Sequence, residues 1–472
     1  MTPLIPRDLC TRCGACFGAD KSGRLSKDEL GFPVYDDNKK QDVDDLLQVC
    51  SGENWNYRRL LEQEYGPSVK YDPSSPDIGV HRAIYLVSAN DDAVRERGQS
   101  GGVTTALLTH AMDTGLIDAA LVVRRPEASN GNPFASEPYI AKSPSNLLDS
   151  CGSKYTICST LEMVPEISAQ SDKFAMTLLP CQTVGFKRMV SDFDPSLKEK
   201  CKLIIGPYCG LNMEAEAGSA LAAAARVEPS KVRSFKNRGG SFPGATTFKL
   251  KSGEKHFVDR TAHRILYRMY SPIRCYTCTD YGNELADLVV ADCWLQQKRG
   301  QFDYPEGAAY VICRSERGEQ IVKEALIKGN LVAHNCDVEL AKRLWKPSFT
   351  HRKVRAHNRI RYWSKRGRAV PKPDYKMPAE FIDSRMADQI EMRLWSFFRC
   401  RWICKKALFI WLWLAKASVG SFKNLIFEDC KIYMFTHLHD QYTSENFKSS
   451  LAKYKQAIRG KISSCRNKIF RR

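Results

Sequence analysis

Cys10, Cys13 and Cys16 stand two residues apart in "CTRCGAC". A loop of that spacing turns three thiolates to one side, the arrangement that holds three corners of a cubane [4Fe-4S] cluster. In the bacterial ferredoxin run another cysteine follows three residues further on, and here that position is Asp20. The fourth ligand must therefore come from elsewhere, and Cys50 in "QVCSG", within reach at the end of a helical stretch, is the nearest candidate. Two other readings stand beside this one: a zinc site, which also uses C-x2-C pairs, and Asp20 itself as an oxygen ligand.

A second set is scattered in the sequence: Cys181 in "LLPCQ" and Cys209 in "GPYCG", each closing an apolar strand, and the pair Cys275 and Cys278 in "RCYTC". Sites in open α/β sheets form beyond the carboxyl ends of strands, so these four make a second candidate ligand set. Free cysteine is also a common buried apolar residue, and that reading of Cys181 and Cys209 stays open.

Three glycine-rich stretches carry polar chemistry. "GQSGG" (98–102) precedes a helix, where Gln99, Ser100, Gly101 and Gly102 could bring backbone N–H groups to an anion, with Thr104 on the first turn. It reads equally as a helix-capping turn. "GSKY" offers Ser153, Lys154 as a cation for a phosphate or reduced ring, and Tyr155 as a stacking surface; "KNRGG" offers Asn237 and Arg238, the latter suited to bidentate anion binding. Asp292, at a strand end in "VVADCW", reads as structural, and His256 and His263 show no paired ligand spacing. No catalytic residue is assigned.

The elements that must position these residues follow a βαβ rhythm: strands over 83–90 and 118–123 around a helix over 102–115, then strands over 174–182 and 202–210 with a helix over 215–227 behind them. A helix is predicted over 42–64, and the turn formers after Tyr65 make a linker. The fold class is α/β (α+β), with an N-terminal ferredoxin-like cluster module (1–66), a central mixed α/β domain divided at 67–160 and 161–346, and a basic helical C-terminal tail (347–472).

The chain has 472 residues and 18 cysteines, with no apolar stretch before Cys10 that could serve as a secretory signal, which predicts a reducing, cytoplasmic setting. The net charge of +19 is confined to one end. From Arg343 to Arg472 there are 30 Lys and Arg against 9 Asp and Glu, whereas the preceding 342 residues carry 42 against 44. A near-neutral body of that kind argues against nucleic-acid binding. In the tail, the apolar run Ala407 to Ala415 between Lys406 and Lys416 is far short of the ~20 residues a spanning helix needs. With its tryptophans and basic flanks it predicts either peripheral contact with the inner face of a membrane or a helix docked on protein.

Taken in order, "CTRCGAC", "VCSG", "RGQSGGVTTALL", "GSKY", "LPCQTVGFKRM", "IGPYCG", "FKNRGGSFPG" and "CYTCTDYGNELADLVVADCW" resemble the coenzyme F420 hydrogenase/dehydrogenase beta-subunit family, which includes the 7-hydroxymethyl chlorophyll a reductases, over about residues 5–345. The family often has Cys-Pro-Gly where this chain has Cys50-Ser51-Gly52. The resemblance implies an iron-sulfur flavoprotein with two [4Fe-4S] clusters and FAD. Electrons would enter at the N-terminal cluster, pass through the second and be stored on the flavin for an unknown substrate. It also implies that "GQSGG", "GSKY" and "KNRGG" lie at the flavin. The implied partners are ferredoxin or another redox protein and a small-molecule or glycan-related substrate. A non-catalytic electron-transfer subunit is the alternative, and use of F420 cannot be read from these residues.

Overall fold

Eight apolar runs build one sheet in the computed structural model. In chain order they are β1 (Ala83–Ala89), β2 (Ala119–Arg124), β3 (Glu137–Ala141), β4 (Phe174–Thr177), β5 (Cys201–Pro207), and, after a separate three-stranded sheet of β6 (Val232–Gly239), β7 (Ala245–Leu250) and β8 (Lys255–Val258), β9 (Leu288–Asp292), β10 (Ala309–Cys313) and β11 (Leu331–His334). The described residues are 1–376 except 37, 39–42, 54–55, 68, 70–76, 127–130, 241, 243, 259–265, 268, 294–296, 299–300, 303 and 305. His263 and the tail from 377 onward, with the apolar run 407–415, lie outside them.

The large sheet runs β11-β1-β10-β9-β5-β4-β2-β3. Only β9, β5, β4 and β2 pair in parallel; the other neighbours are antiparallel. The expected βαβ unit beginning at β1 is therefore not one of adjacent strands, since four strands separate β1 from β2. The helix joining them, α3 below, crosses the sheet.

Strand alternation sends side chains to two cores. Leu86, Leu121, Met176 and Ile204 face one side; Val87, Val122, Ala175, Leu203 and Ile205 face the other. On the second side the sheet is covered by helices over Val103–Asp113 and Glu316–Ile327. The first side receives the N-terminal segment, whose Leu4, Ile5, Leu9, Cys10 and Cys13 share one core with sheet residues. Segments 67–160 and 161–346 contribute strands to this one sheet.

Among the described residues, the helices that frame the sheet and the site include α1 (Ala15–Ala19), α2 (Tyr57–Tyr65), α3 (Val103–Asp113), α4 (Pro180–Asp192), α5 (Glu216–Ala224), α6 (Glu316–Ile327) and α7 (Val338–Ser364). The charge change near residue 343 falls inside α7, whose Trp345 and Phe349 are buried in the sheet's first core. Residues 347–376, assigned to the basic tail from sequence, are thus partly body. Among the described residues no helix is long and apolar enough to cross a membrane.

Candidate functional site

The first cysteine set depends on a break in the helix expected over 42–64. The chain makes a 3-10 turn over Asp44–Val49, leaves it at Cys50 in extended conformation, and resumes helix at Tyr57. The break lets Ser51 and Gly52 press on the cysteine loop. A β-carbon on Gly52 would stand 2.6 Å from the Leu9 carbonyl oxygen, so only glycine fits. Ser51 is buried and its hydroxyl donates to Cys13 Sγ at 3.8 Å, while the Gly52 and Arg12 amides donate to Cys50 Sγ and Cys10 Sγ at 3.3 and 3.4 Å.

The four thiols are mutual neighbours. Burial pushes the Cys10 thiol up to about 12, with Cys50 and Cys13 adding to the effect; Cys16 is raised by burial and then by Cys13, Cys50 and Cys10. Asp20 is otherwise engaged: its carboxylate accepts from Arg24 Nε at 3.1 Å and from the Leu25 amide at 2.8 Å. It organises the next turn, and Cys50 is the residue that stands beside Cys10 and Cys16.

The second set also converges. Cys181 is not at a strand end; it lies in the first turn of α4, after β4 has ended at Thr177. Cys209 follows β5 by two residues, and Cys275 and Cys278 lie on and just past a short helix, Ile273–Tyr276. All four line one cavity. Burial raises every one of these thiols, and Cys181 is raised further by Cys13, Cys209, Cys275 and Cys278. Among the described residues no three His, Cys, Asp or Glu side chains close on a single-ion site. Two crowds of buried thiols, the second around a cavity, are chemically suited to a polynuclear iron centre, because ligation removes the thiol protons and a cationic core offsets the charge that burial otherwise forbids.

Helix α4 joins the two sets. Cys181 at its start belongs to the second, Gly185 one turn on meets Cys13 and Ala15, and Arg188 a further turn on donates to the carbonyl oxygen of Cys50. A β-carbon at Gly185 would lie 3.2 Å from that of Ala15 and 3.6 Å from Cys13 Sγ, so a larger residue would push the helix off the loop. From the other side Arg274, 1% exposed, donates to Gly52 and Ser51. Neither arginine is marked by sequence pattern beyond its nearness to a cysteine.

A cleft of about 200 Å3 opens at the carboxyl ends of β2, β4, β5 and β9, where Val123, Thr177, Pro207 and Val290 line it. This is the place where open α/β sheets bind ligands. Five of the sequence-predicted residues are there: Gln99, Gly102, Thr104, Ser153 and Lys154. The start of α3 faces the cleft with them. Ser100, Gly101, Tyr155, Asn237 and Arg238 are not in its lining. Ser100 donates to Asp292, which Arg238 meets at 2.7 Å; Asn237 accepts from Arg125 and, at 3.2 Å, from the Tyr155 amide; Gly101 packs on Gly307 and Ala308. These five are held by protein partners next to the cleft, Arg238 also lining an adjoining opening. Asp292 is structural, as its strand-end position suggests.

Lys154 is held by the carbonyl oxygens of Ser150 and Cys151, and burial, with Arg125 and Lys236 nearby, lowers its ammonium to about 7. Cys158, Leu179 and Gln182 line both this cleft and the cysteine cavity, so they form a shared wall. Gln182, buried beside Cys181, donates to the Cys158 carbonyl oxygen at 3.0 Å and Thr160 Oγ1 at 2.9 Å, and accepts from the Leu179 amide at 2.9 Å. Sequence reasoning passed over Gln182, whose only signal is its place after the cysteine in "LPCQ".

Helix α7 and the residues after it cap the Cys275–Cys278 loop. Lys353 pairs with Glu284 at 2.9 Å, both buried; Arg352 donates to the Gly210 carbonyl oxygen at 2.6 Å, and the Tyr375 hydroxyl to Thr279 Oγ1 at 2.8 Å.

Residues 84–165 match the family model described as coenzyme F420 hydrogenase/dehydrogenase, beta subunit N-term, and residues 171–339 match the one for its C terminus. Together these cover more than half of the chain. The chain is 26% identical over 274 residues to the coenzyme F420 hydrogenase subunit beta of Methanothermobacter thermautotrophicus, covering 53% of this chain and 84% of that one. It is 23% identical over 343 residues to the coenzyme F420-dependent sulfite reductase of Methanocaldococcus jannaschii, covering 70% of this chain and 48% of that one. Among solved structures, a chain of the F420-reducing [NiFe] hydrogenase complex from Methanosarcina barkeri matches with a TM-score of 0.49 and 19% identity, over 65% of this chain and all of that one.

Proposed function

Because the chain belongs to the coenzyme F420 hydrogenase/dehydrogenase beta-subunit family, we propose that it is an iron-sulfur flavoprotein oxidoreductase: Cys10, Cys13, Cys16 and Cys50 hold one [4Fe-4S] cluster, Cys181, Cys209, Cys275 and Cys278 a second, and the strand-end cleft holds FAD. The observation that carries this reading is the wall of Cys158, Leu179 and Gln182, which separates the cleft from the second cysteine cavity by the thickness of one layer of side chains. When bound, the clusters and the flavin supply one-electron and two-electron redox chemistry respectively.

The chain's own contribution is placement and charge. Eight thiols would hold the clusters as thiolates, their protons released to solvent on ligation. Arg274 and Arg188 put positive charge against the first set while fixing its backbone, and Arg274 does the same beside Cys275. Amide and hydroxyl donors to Cys10, Cys13 and Cys50 sulfur stabilise the more negative state of those ligands. Lys154 stands in the cleft as a cation or, near neutral pH, as a proton donor.

Ferredoxin or another redox protein is the proposed partner. A second reading, a component that passes electrons to a separate enzyme, is favoured by the likeness to the coenzyme F420 hydrogenase subunit beta of Methanothermobacter thermautotrophicus, which by its name is one part of a larger hydrogenase. An anaerobic reductive titration tests the first reading: reduced ferredoxin should bleach iron-sulfur and flavin absorbance together. Iron-sulfur bleaching without any flavin signal in the isolated chain would leave the cleft without its cofactor and overturn the flavoprotein reading.

A further inference from the structure

Beside the flavin cleft, and joined to it through Gly152, Ser153 and Lys154, lies a second opening whose lining is strongly cationic. Arg125, Lys154 and Arg238 form its base, and Arg233, Lys236, Lys249 and Lys251 rise along β6, β7 and the turn after it. Asp149 is the one acid among its described lining residues. Resting on the flavoprotein reading, we infer that this opening binds a small-molecule substrate through a diphosphate, or an equivalent pair of phosphate groups, and so presents the rest of that molecule to the flavin cleft.

The strand register makes the cationic face. Lys236 lies opposite Thr247, and Thr247, Lys249 and Lys251 alternate along the same strand and its extension, so the three lysines share one side of the sheet. The other side carries Phe235 and Phe248, stacked at 5.3 Å between centroids and packed on Phe134. The apolar face thus anchors the sheet and leaves the lysines aimed into the opening.

An ordinary solvated face mixes both signs, because like charges at neighbouring cross-strand positions repel. Here Arg233, Lys236, Lys249 and Lys251 are exposed, and among the described residues none has a carboxylate at salt-bridge distance. The repulsion reaches the base of the opening. Lys154 is lowered by burial and then by the neighbouring cations Arg125 and Lys236. A dianionic group offsets all of these at once, and the spread of the cations along two strands suits two linked phosphates better than a single carboxylate.

FAD carries a diphosphate of its own, so the source must be decided by experiment. Inorganic pyrophosphate is titrated into the flavin-loaded full-length protein at low ionic strength, with iron and flavin content measured on the same sample. Saturable, salt-sensitive binding is expected, weakened about tenfold or more by Lys249→Glu/Lys251→Glu and retained by Lys249→Arg/Lys251→Arg, with iron and flavin unchanged in both. These residues are exposed and the aromatic face is untouched, so the fold should persist. The proposal is overturned if the flavin-loaded protein does not bind pyrophosphate, if the charge reversal has no effect, or if only flavin-free protein binds it, which would give the opening to the flavin's own diphosphate. Lysine-dependent binding by a protein that never takes up FAD would instead support the anion site and count against the flavoprotein reading alone.

Discussion

Arg274 Nε donates to the carbonyl oxygen of Gly52 at 2.9 Å, and its NH2 group donates to that of Ser51 at 3.2 Å. One buried guanidinium next to Cys275 therefore fixes the loop that carries Cys50, although 222 residues separate donor and acceptor. Its charge also lies within reach of thiols from both sets, Cys278, Cys181, Cys275 and Cys50.

Replacing this residue, Arg274→Met, should cost about 3 kcal/mol, the scale of two charge-assisted hydrogen bonds. It should also shift the reduction potentials downward, because a nearby cation favours the more negative, reduced state. Anaerobic urea unfolding and a potentiometric EPR titration measure the two effects. An upward shift in potential would contradict the electrostatic role.

Gln182→Leu keeps the size of the side chain but removes its hydrogen bonds to Cys158, Thr160 and Leu179. A loss of about 2 kcal/mol is expected from these neutral bonds and the buried partners they leave behind. Iron content should stay near wild type while rapid-mixing flavin reduction slows. Unchanged kinetics would remove Gln182 from the path between cavity and cleft.

Lys154 gives a pH signature. Burial lowers its ammonium to about 7, so in the ligand-free protein it is cationic below that pH and largely neutral above it. Affinity of the flavin-free protein for FAD should therefore fall as the pH rises through about 7, with a proton taken up on binding above it. Lys154→Gln should bind FAD more weakly at pH 6 and lose this dependence. Fluorescence titration across the range checks both.

Helix α7 and the residues after it, to 376, belong to the body. A chain stopped after residue 376 should retain its iron and flavin, since the described contacts to the Cys275–Cys278 loop are all present. One stopped after Lys346 loses Lys353, buried against Glu284, as well as Arg352 and Tyr375, and should lose about half its iron. Equal iron in the two truncations would show that α7 does not support the second set.

The convergence of the cysteines into two groups was legible from their spacing: the C-x2-C-x2-C run, the C-x2-C pair, and a cysteine near each of two strand ends. The strands of the large sheet were legible from apolar runs. Their order was not, because β1 pairs with β10 and β11, segments more than 200 residues away, and nothing local records that choice. The helix expected over 42–64 failed at Cys50, where the chain turns extended so that Gly52 can pack on the Leu9 backbone, a contact distant in sequence. Glycine-rich loops identified the cleft, but half of the residues chosen from them turned out to be held by protein partners next to it. A hydrogen-bonding side chain and a ligand-facing one look alike in sequence; only the fold assigns Ser100 to Asp292 and leaves Thr104 to the cleft.

The central claim is most directly tested by counting iron, acid-labile sulfide, zinc and flavin in the full-length protein purified without oxygen, beside a Cys50→Ser variant. The account predicts about eight irons, about eight sulfides and one non-covalent FAD per chain, with about half of the iron lost in the variant. Stoichiometric zinc without sulfide, or an unchanged iron content in Cys50→Ser, would contradict it.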